Sequence, residues 1–250
     1  MKIFSSEFGH NYGSYTFAYA HYTKREAGDS LAQIYDLGYL PYSAARGVTD
    51  TLYMARSGRV PLGIWKMTSE NRRIAKKFDG TFEKKRIPVS EFTFDETFYS
   101  FCLDYFAQRH GEKTMPRERL ELILTCNLIS TIVEYTQAGK VAAYAFEVSD
   151  GIIGHYWFSF YDLTLVQQSL GLWLMLDCVR DAQAAGLTHY YLGTVYGEKA
   201  LYKTNFEPLE WWTGQGWSTD LKALKERGRT DNTRVISLMD AWKEDQKLFT

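Results

Sequence analysis

Apolar and polar positions alternate with a helical period in FDETFYSFCLDYFAQRH, residues 94–110, where Phe98, Phe101, Cys102, Tyr105 and Phe106 fall at i, i+3, i+4, i+7 and i+8. That spacing is one stripe of an amphipathic helix, with Asp95 placed to cap it. A second helix is expected in RERLELILTCNLIS, directly after Pro116, and a short basic one in TSENRRIAKKF, capped by Thr68 or Ser69. Residues 1–66 read differently, with short extended runs such as YTFAYAHY and TLYMARSGRVPLGIW, turn signals at Gly28-Asp29 and Gly58, and one helix near DSLAQIYDLGY. Beyond residue 129 the texture becomes β-rich: STIVEYTQAGKVAAYAFEVSDGIIGHYWFSFYD holds three runs broken at Ala138-Gly139 and at Asp150-Gly151, a strong hairpin signal. A helix then opens at Ser169 and runs to about Ala185, where Gly186 supplies a left-handed cap. LTHYYLGTV is the next strand, GEKALYKTNF a short helix and PLEWWTGQGW a final strand. The tail from Ser218 is charged, has a weak helical period near VISLMDAW, and is assigned no chemistry.

The order strand, hairpin, strand, helix, strand, short helix, strand is that of a GNAT-type acyltransferase core, an α/β (α+β) fold with a mixed central sheet. Three segments are expected: a mostly β N-terminal subdomain with the basic segment over 1–90, the transferase domain over 91–217, and the charged tail over 218–250. With 45% apolar and 24% charged residues the chain can build a substantial core. Its net charge of −1 means that a polyanion must be met by a local patch. Arg56 to Arg86 provides one, with ten basic against three acidic side chains, a local charge of +7. Cys102, Cys126 and Cys178 lie far apart in apolar runs, so neither a disulfide framework nor a metal site is expected. No apolar run approaches the roughly 20 residues that span a bilayer. A soluble cytoplasmic protein without membrane or DNA partners, and without a cofactor, is the expectation.

CoA-dependent GNAT enzymes carry (Q/R)-x-x-G-x-(G/A) where the chain enters the central helix, because bare N–H groups and the helix dipole there hold a pyrophosphate. Here Gln168, Gly171 and Trp173 stand at the three defining positions, and an indole at the third is expected to crowd a pyrophosphate away. Either Trp173 is a core residue or the loop meets a donor other than CoA. Tyr202 and Phe206 match the Leu-Tyr-x-x-x-x-Phe segment in which a tyrosine can protonate a departing group; the alternative is a packed structural tyrosine. Asp162, just past an aromatic strand, can take a proton from or orient an attacking amine, or simply start a turn. Glu147, His155 and His189 are weaker candidates on strands.

Together these pieces resemble the arginyl-tRNA protein transferase family, including its leucyl-transferring bacterial branch. FYDL at Phe160 to Leu163, QSLGLW at Gln168 to Trp173, GLTHYYLGTV at Gly186 to Val195 and ALYKTNFEP at Ala200 to Pro208 match the family's C-terminal pattern. Upstream, YDLGYLPYS, SENRRIAKKF and CLDYFAQRHG look like further family elements, and the likeness covers most of residues 30–217. The resemblance implies transfer of an amino acid from aminoacyl-tRNA to an amino group of a protein, peptide or small molecule, on a GNAT-like fold without CoA. It implies catalytic roles for Asp162 and Tyr202. Tyr161, Gln168, Ser169, Gly171, Trp173, Tyr191, Gly193 and Lys203 would surround the substrate, with Trp173 an aromatic wall for the terminal adenosine and Lys203 able to neutralise an acidic acceptor. Arg72, Arg73, Lys76 and Lys77 would hold acceptor-stem phosphates. The family's N-terminal cysteine pairs are absent, Leu163 replaces a proline and Gln168 an arginine, so no metal site is carried over and the amino acid and acceptor stay open. The rival readings are a CoA-dependent acetyltransferase and a non-catalytic tRNA- or protein-binding relic.

Overall fold

The structure, a computed structural model, describes residues 1–13, 16–43, 48–111, 114–165 and 169–231. The chain begins with a long hairpin, β1 (Lys2–Asn11) and β2 (Thr16–Lys24), followed by α1 (Leu31–Asp36), β3 (Tyr39–Pro41) and β4 (Thr51–Met54). These strands form a four-stranded sheet in the order β1-β2-β4-β3. Then come β5 (Ser57–Pro61), α2 (Ser69–Phe78), β6 (Glu83–Pro88), α3 (Glu96–His110) and α4 (Arg117–Thr125). The remaining elements are β7 (Thr131–Gln137), β8 (Lys140–Ser149), β9 (Ile153–Tyr161), α5 (Leu170–Ala184), β10 (His189–Thr194), β11 (Glu210–Trp212), β12 (Trp217–Ser218) and α6 (Leu221–Thr230). An eight-stranded sheet orders them β12-β11-β5-β10-β9-β8-β7-β6, and only its β9/β10 pair is parallel.

Local chemistry explains the boundaries. The Asp95 side chain accepts from the Phe98 N–H at 2.8 Å and starts α3, and Thr68 with Asn71 forms a reciprocal capping box at α2. Ala138 and Gly139 both take positive φ, 49° and 74°, as a tight turn between β7 and β8 requires, and Gly186 at φ 77° ends α5. A 3-10 segment, Glu198–Asn205, stands in place of the short helix that GEKALYKTNF suggests.

The segment expected over 1–90 divides in space. Only the strands through Met54 make a sheet of their own; β5 inserts between β10 and β11, and β6 pairs with β7 as the far edge of the central sheet. VISLMDAW lies outside the described residues. On one face of the central sheet α5 and α2 bury Val133, Tyr135, Ala143, Ala145, Tyr156 and Leu192; the other face is covered by α3 and α4 and by the N-terminal sheet with α1. No described helix is long and apolar enough to cross a membrane.

Candidate active site

The parallel pairing of β9 with β10 stops at His155 opposite Tyr191, although β9 continues to Tyr161 against β8 and β10 to Thr194 against β5. Two bulges accompany this parting. In β9, Glu147 faces Tyr156 and Phe146 faces Phe158, so Trp157 is the extra residue; in β10 the register slips at Leu192, and Gly193 takes φ 81°. A crevice at the carboxyl ends of parallel strands is where open α/β sheets bind ligands.

The 3-10 segment after β10 delivers Tyr202 and Lys203 to this crevice. Although 42% of Tyr202 is exposed, burial by surrounding protein atoms and then the nearby Tyr161 phenol raise its pKa to about 12. The exposure tempers the size of that shift but not its direction, so the phenol keeps its proton at neutral pH. Lys203 is only 9% exposed; its Nζ donates to the Thr194 carbonyl at 2.7 Å, and burial lowers its pKa to about 8. The Tyr161 and Tyr105 rings sit 4.7 Å apart by centroid, and the buried Tyr156 hydroxyl has no hydrogen-bond partner among the described residues.

His155, 1% exposed, lies beneath this group. Its Nδ1 is 3.0 Å from the Tyr35 hydroxyl, its Nε2 has no partner among the described residues, and burial, followed by the charge of Lys203, pushes its pKa down to about 3. The ring is neutral, and a histidine on a strand carries no sequence signal of what its second nitrogen faces.

The other expected site residues fall into place unevenly. Asp162 follows β9 directly; its Oδ1 accepts from the Thr164 N–H at 2.8 Å and the Thr164 hydroxyl at 2.7 Å, a turn-forming arrangement that leaves Oδ2 without a hydrogen bond among the described residues. Tyr161 packs on Gly171 in the first turn of α5, where a Cβ would stand 3.1 Å from its ring and 3.2 Å from its hydroxyl. Ser169, just before α5, holds a left-handed φ of 85° and its side chain caps nothing. Gln168 lies outside the described residues.

Tyr191 lies on the same face of the sheet as its strand partner His155, its ring 4.8 Å from that of Tyr35. Its hydroxyl accepts from Arg59 Nη1 at 3.1 Å, and Arg59 in turn pairs with Asp36 and Glu210 at 2.7 Å each. Trp173 is not a wall of the crevice. It is 4% exposed, its Nε1 donates to Asp79 at 2.9 Å, and its indole packs against Phe78, Phe82 and Tyr135, because its position on α5 faces α2 and the sheet.

Arg72, Arg73, Lys76 and Lys77 all lie on the exposed face of α2, opposite buried Ile74, Ala75 and Phe78. The α2 cap ties this helix to the crevice, since the Thr68 hydroxyl donates to the Asn205 carbonyl at 3.2 Å. The local charge of +7 is much reduced in three dimensions. Arg56 pairs with Asp231, Arg59 with Asp36 and Glu210, Lys84 with Asp177 and Asp181, and Arg86 with Glu147 and Asp181, all acids outside the segment.

A sheet whose parallel strands part over a phenol-lined crevice, with a helix entering between them, defines a GNAT-type acyltransferase fold. A family model described as "Arginine-tRNA-protein transferase, C terminus" matches residues 97–213. An "Aspartate/glutamate leucyltransferase" of Methylorubrum extorquens is 31% identical over 70% of this chain and 75% of its own. One so named from Rhodospirillum rubrum is 35% identical over 54% of this chain and 56% of its own, so the chain spans little more than half of that relative's length. Among solved structures, the C-terminal domain of a putative lysylphosphatidylglycerol synthetase from Agrobacterium fabrum is similar with a TM-score of 0.45 and 12% identity, over 61% of this chain and 50% of that one. The chain belongs to the aminoacyl-tRNA protein transferase family. The matches support the family without singling out arginine as the transferred amino acid.

Proposed function

We propose that the protein transfers an amino acid, leucine by the names of its relatives, from aminoacyl-tRNA to the α-amino group of a protein or peptide. The observation that carries this reading is Tyr202, an accessible phenol that stays protonated in the crevice between the parting strands. In the reaction the neutral amine attacks the ester carbonyl, a C–N bond forms, the bond to the ribose oxygen breaks, and that oxygen leaves with a proton. Tyr202 supplies the proton. An alkoxide is far more basic than a thiolate, so a phenol with a pKa near 12 is better matched to this leaving group than to CoA. Asp162, through Oδ2, orients or deprotonates the amine.

The packing of Tyr161 on Gly171 also supports a donor other than CoA, because that ring occupies the approach to the first turn of α5. The exposed face of α2 holds acceptor-stem phosphates, in a position fixed by its link to Asn205. Single-turnover transfer of labelled leucine from leucyl-tRNA to a peptide tests the reading and separates it from a non-catalytic relic.

A further inference from the structure

The segment that carries Tyr202 is anchored at its start by a residue from another element. The residue that opens Glu198–Asn205, Gly197, takes φ 70° and has no side chain with which to cap the turn. An acceptor comes instead from the last residue of the α6 end: the Asp231 Oδ2 accepts from the Gly197 N–H at 2.6 Å. The same carboxylate holds the Arg56 guanidinium through both oxygens, at 2.5 Å and 3.2 Å, and the two side chains are largely covered, 13% exposed each. Arg56, between β4 and β5, is itself fixed. Its N–H donates to the Tyr196 hydroxyl at 2.9 Å, its guanidinium stands 4.5 Å from the centre of the Tyr196 ring, and its carbonyl accepts from the Val195 N–H at 2.8 Å. α6 also packs closely behind Tyr202, since a carbon on Gly228 would stand 3.0 Å from the Leu201 side chain and 3.5 Å from the Gly197 carbonyl.

A 3-10 run of eight residues is longer than such a helix sustains by itself, because its hydrogen bonds are poorly aligned and its side chains at i and i+3 eclipse. Contacts from outside therefore set where the segment lies. At its far end Asn205 is tied to the α2 cap by Thr68, at its near end Gly197 is tied to α6 by Asp231, and Tyr202 stands between the two ties. The near tie is a charge-assisted bond from a backbone N–H, made by a carboxylate that a two-pronged guanidinium holds in one orientation, which is the geometry that fixes position most firmly. Placement matters here, because a shift of about 1 Å in a reacting group can cost on the order of a hundredfold in rate.

We infer that Asp231 is a positioning residue, which anchors Gly197 and so sets the place of the Tyr202 phenol in the crevice; this rests on the aminoacyl-transfer reading and gives α6 a part in it.

Asp231→Ala removes the anchor, whereas Asp231→Asn keeps one carbonyl oxygen for the Gly197 N–H. In single-turnover transfer at saturating aminoacyl-tRNA, Asp231→Ala is expected to be about ten- to a hundredfold slower than wild type with tRNA affinity unchanged, and Asp231→Asn to recover much of the loss. In the Tyr202→Phe background Asp231→Ala should cost less than about threefold more, because its effect passes through the phenol. Hydrogen exchange read by mass needs no substrate: the amides of 197–205 should exchange at least about tenfold faster in Asp231→Ala, while the strands of the central sheet stay protected. If those strands lose protection too, the paired change Arg56→Met with Asp231→Leu, which leaves no covered charge unpaired, takes the place of Asp231→Ala with the same expectations. A wild-type rate without the Asp231 carboxylate, or a loss equally large with and without the Tyr202 hydroxyl, overturns the inference. If wild type transfers no amino acid, the transfer reading fails and hydrogen exchange decides: faster exchange confined to 197–205 upholds the anchor, and unchanged exchange there overturns it.

Discussion

Lys203 Nζ and His155 Nε2 converge on Gly193, at 3.6 Å and 3.7 Å from the place a side-chain carbon would occupy there. No charge among the described residues balances this pair, which makes its energetics testable without substrate. Burial lowers the Lys203 pKa from 10.5 to about 8, so the folded protein binds fewer protons than the unfolded chain between those values. The destabilisation is therefore fully present below pH 8 and fades as the pH rises to 10.5. Lys203→Met is expected to be about 1 to 3 kcal/mol more stable than wild type at pH 7, after the missing bond to Thr194 is offset, with the gap closing towards pH 10.5. Denaturant titrations at the two pH values check this, and a variant weaker than wild type at pH 7 contradicts it.

Tyr202→Phe keeps the ring and removes the proton. Asp162→Asn keeps the Oδ1 acceptor that holds Thr164 and removes the charge. Each is expected to lower single-turnover transfer by at least about tenfold, within the range for loss of a positioned acid or base, while tRNA affinity stays nearly intact. Wild-type rates in Asp162→Asn would leave that residue only its turn-forming role.

Replacing Arg72, Arg73, Lys76 and Lys77 with Ala is expected to weaken tRNA binding and flatten its salt dependence. Each phosphate that these side chains no longer neutralise takes roughly 0.7 to 0.9 off the log-log slope. Arg73 already pairs with Glu70, which lowers its share. Filter binding across a salt series measures the slope, and an unchanged slope removes α2 from the tRNA surface.

Trp173→Ala is expected to cost about 3 to 5 kcal/mol, since it empties the packing between α5 and α2. It is not expected to create a CoA site, because Tyr161 and not Trp173 lies against Gly171. Thermal melts with and without acetyl-CoA check both points; a melting temperature of wild type raised by micromolar acetyl-CoA would favour the rival donor.

Much of this fold is legible in local chemistry. The stripe from Phe98 to Phe106, the Asp95 cap, the turns at Ala138-Gly139 and Asp150-Gly151, and the helix ending before Gly186 depend on neighbours in the chain, and the structure holds all of them. Long-range placements are not legible. EKKRIP, an edge strand with four charged residues at its start, has no apolar alternation to mark it, and nothing in SGRVP says that it inserts between β10 and β11. The bulge at Trp157 changes which side chains of HYWFSFY share a face, so simple alternation misplaces half of the strand. Trp173 escapes sequence reasoning for a related reason: a loop motif fixes position along the chain, but the direction of a side chain on α5 depends on α2, about a hundred residues earlier.

The most direct test of the central claim is single-turnover incubation of the protein with leucyl-tRNA carrying labelled leucine and a peptide that begins with Glu, read by the mass of the peptide. The account predicts a peptide heavier by one leucine residue, joined at its α-amino group, formed by wild type and reduced at least about tenfold in Tyr202→Phe. Labelled leucine that leaves the tRNA only by hydrolysis, or a peptide that stays unmodified with leucyl- and arginyl-tRNA alike, would contradict it.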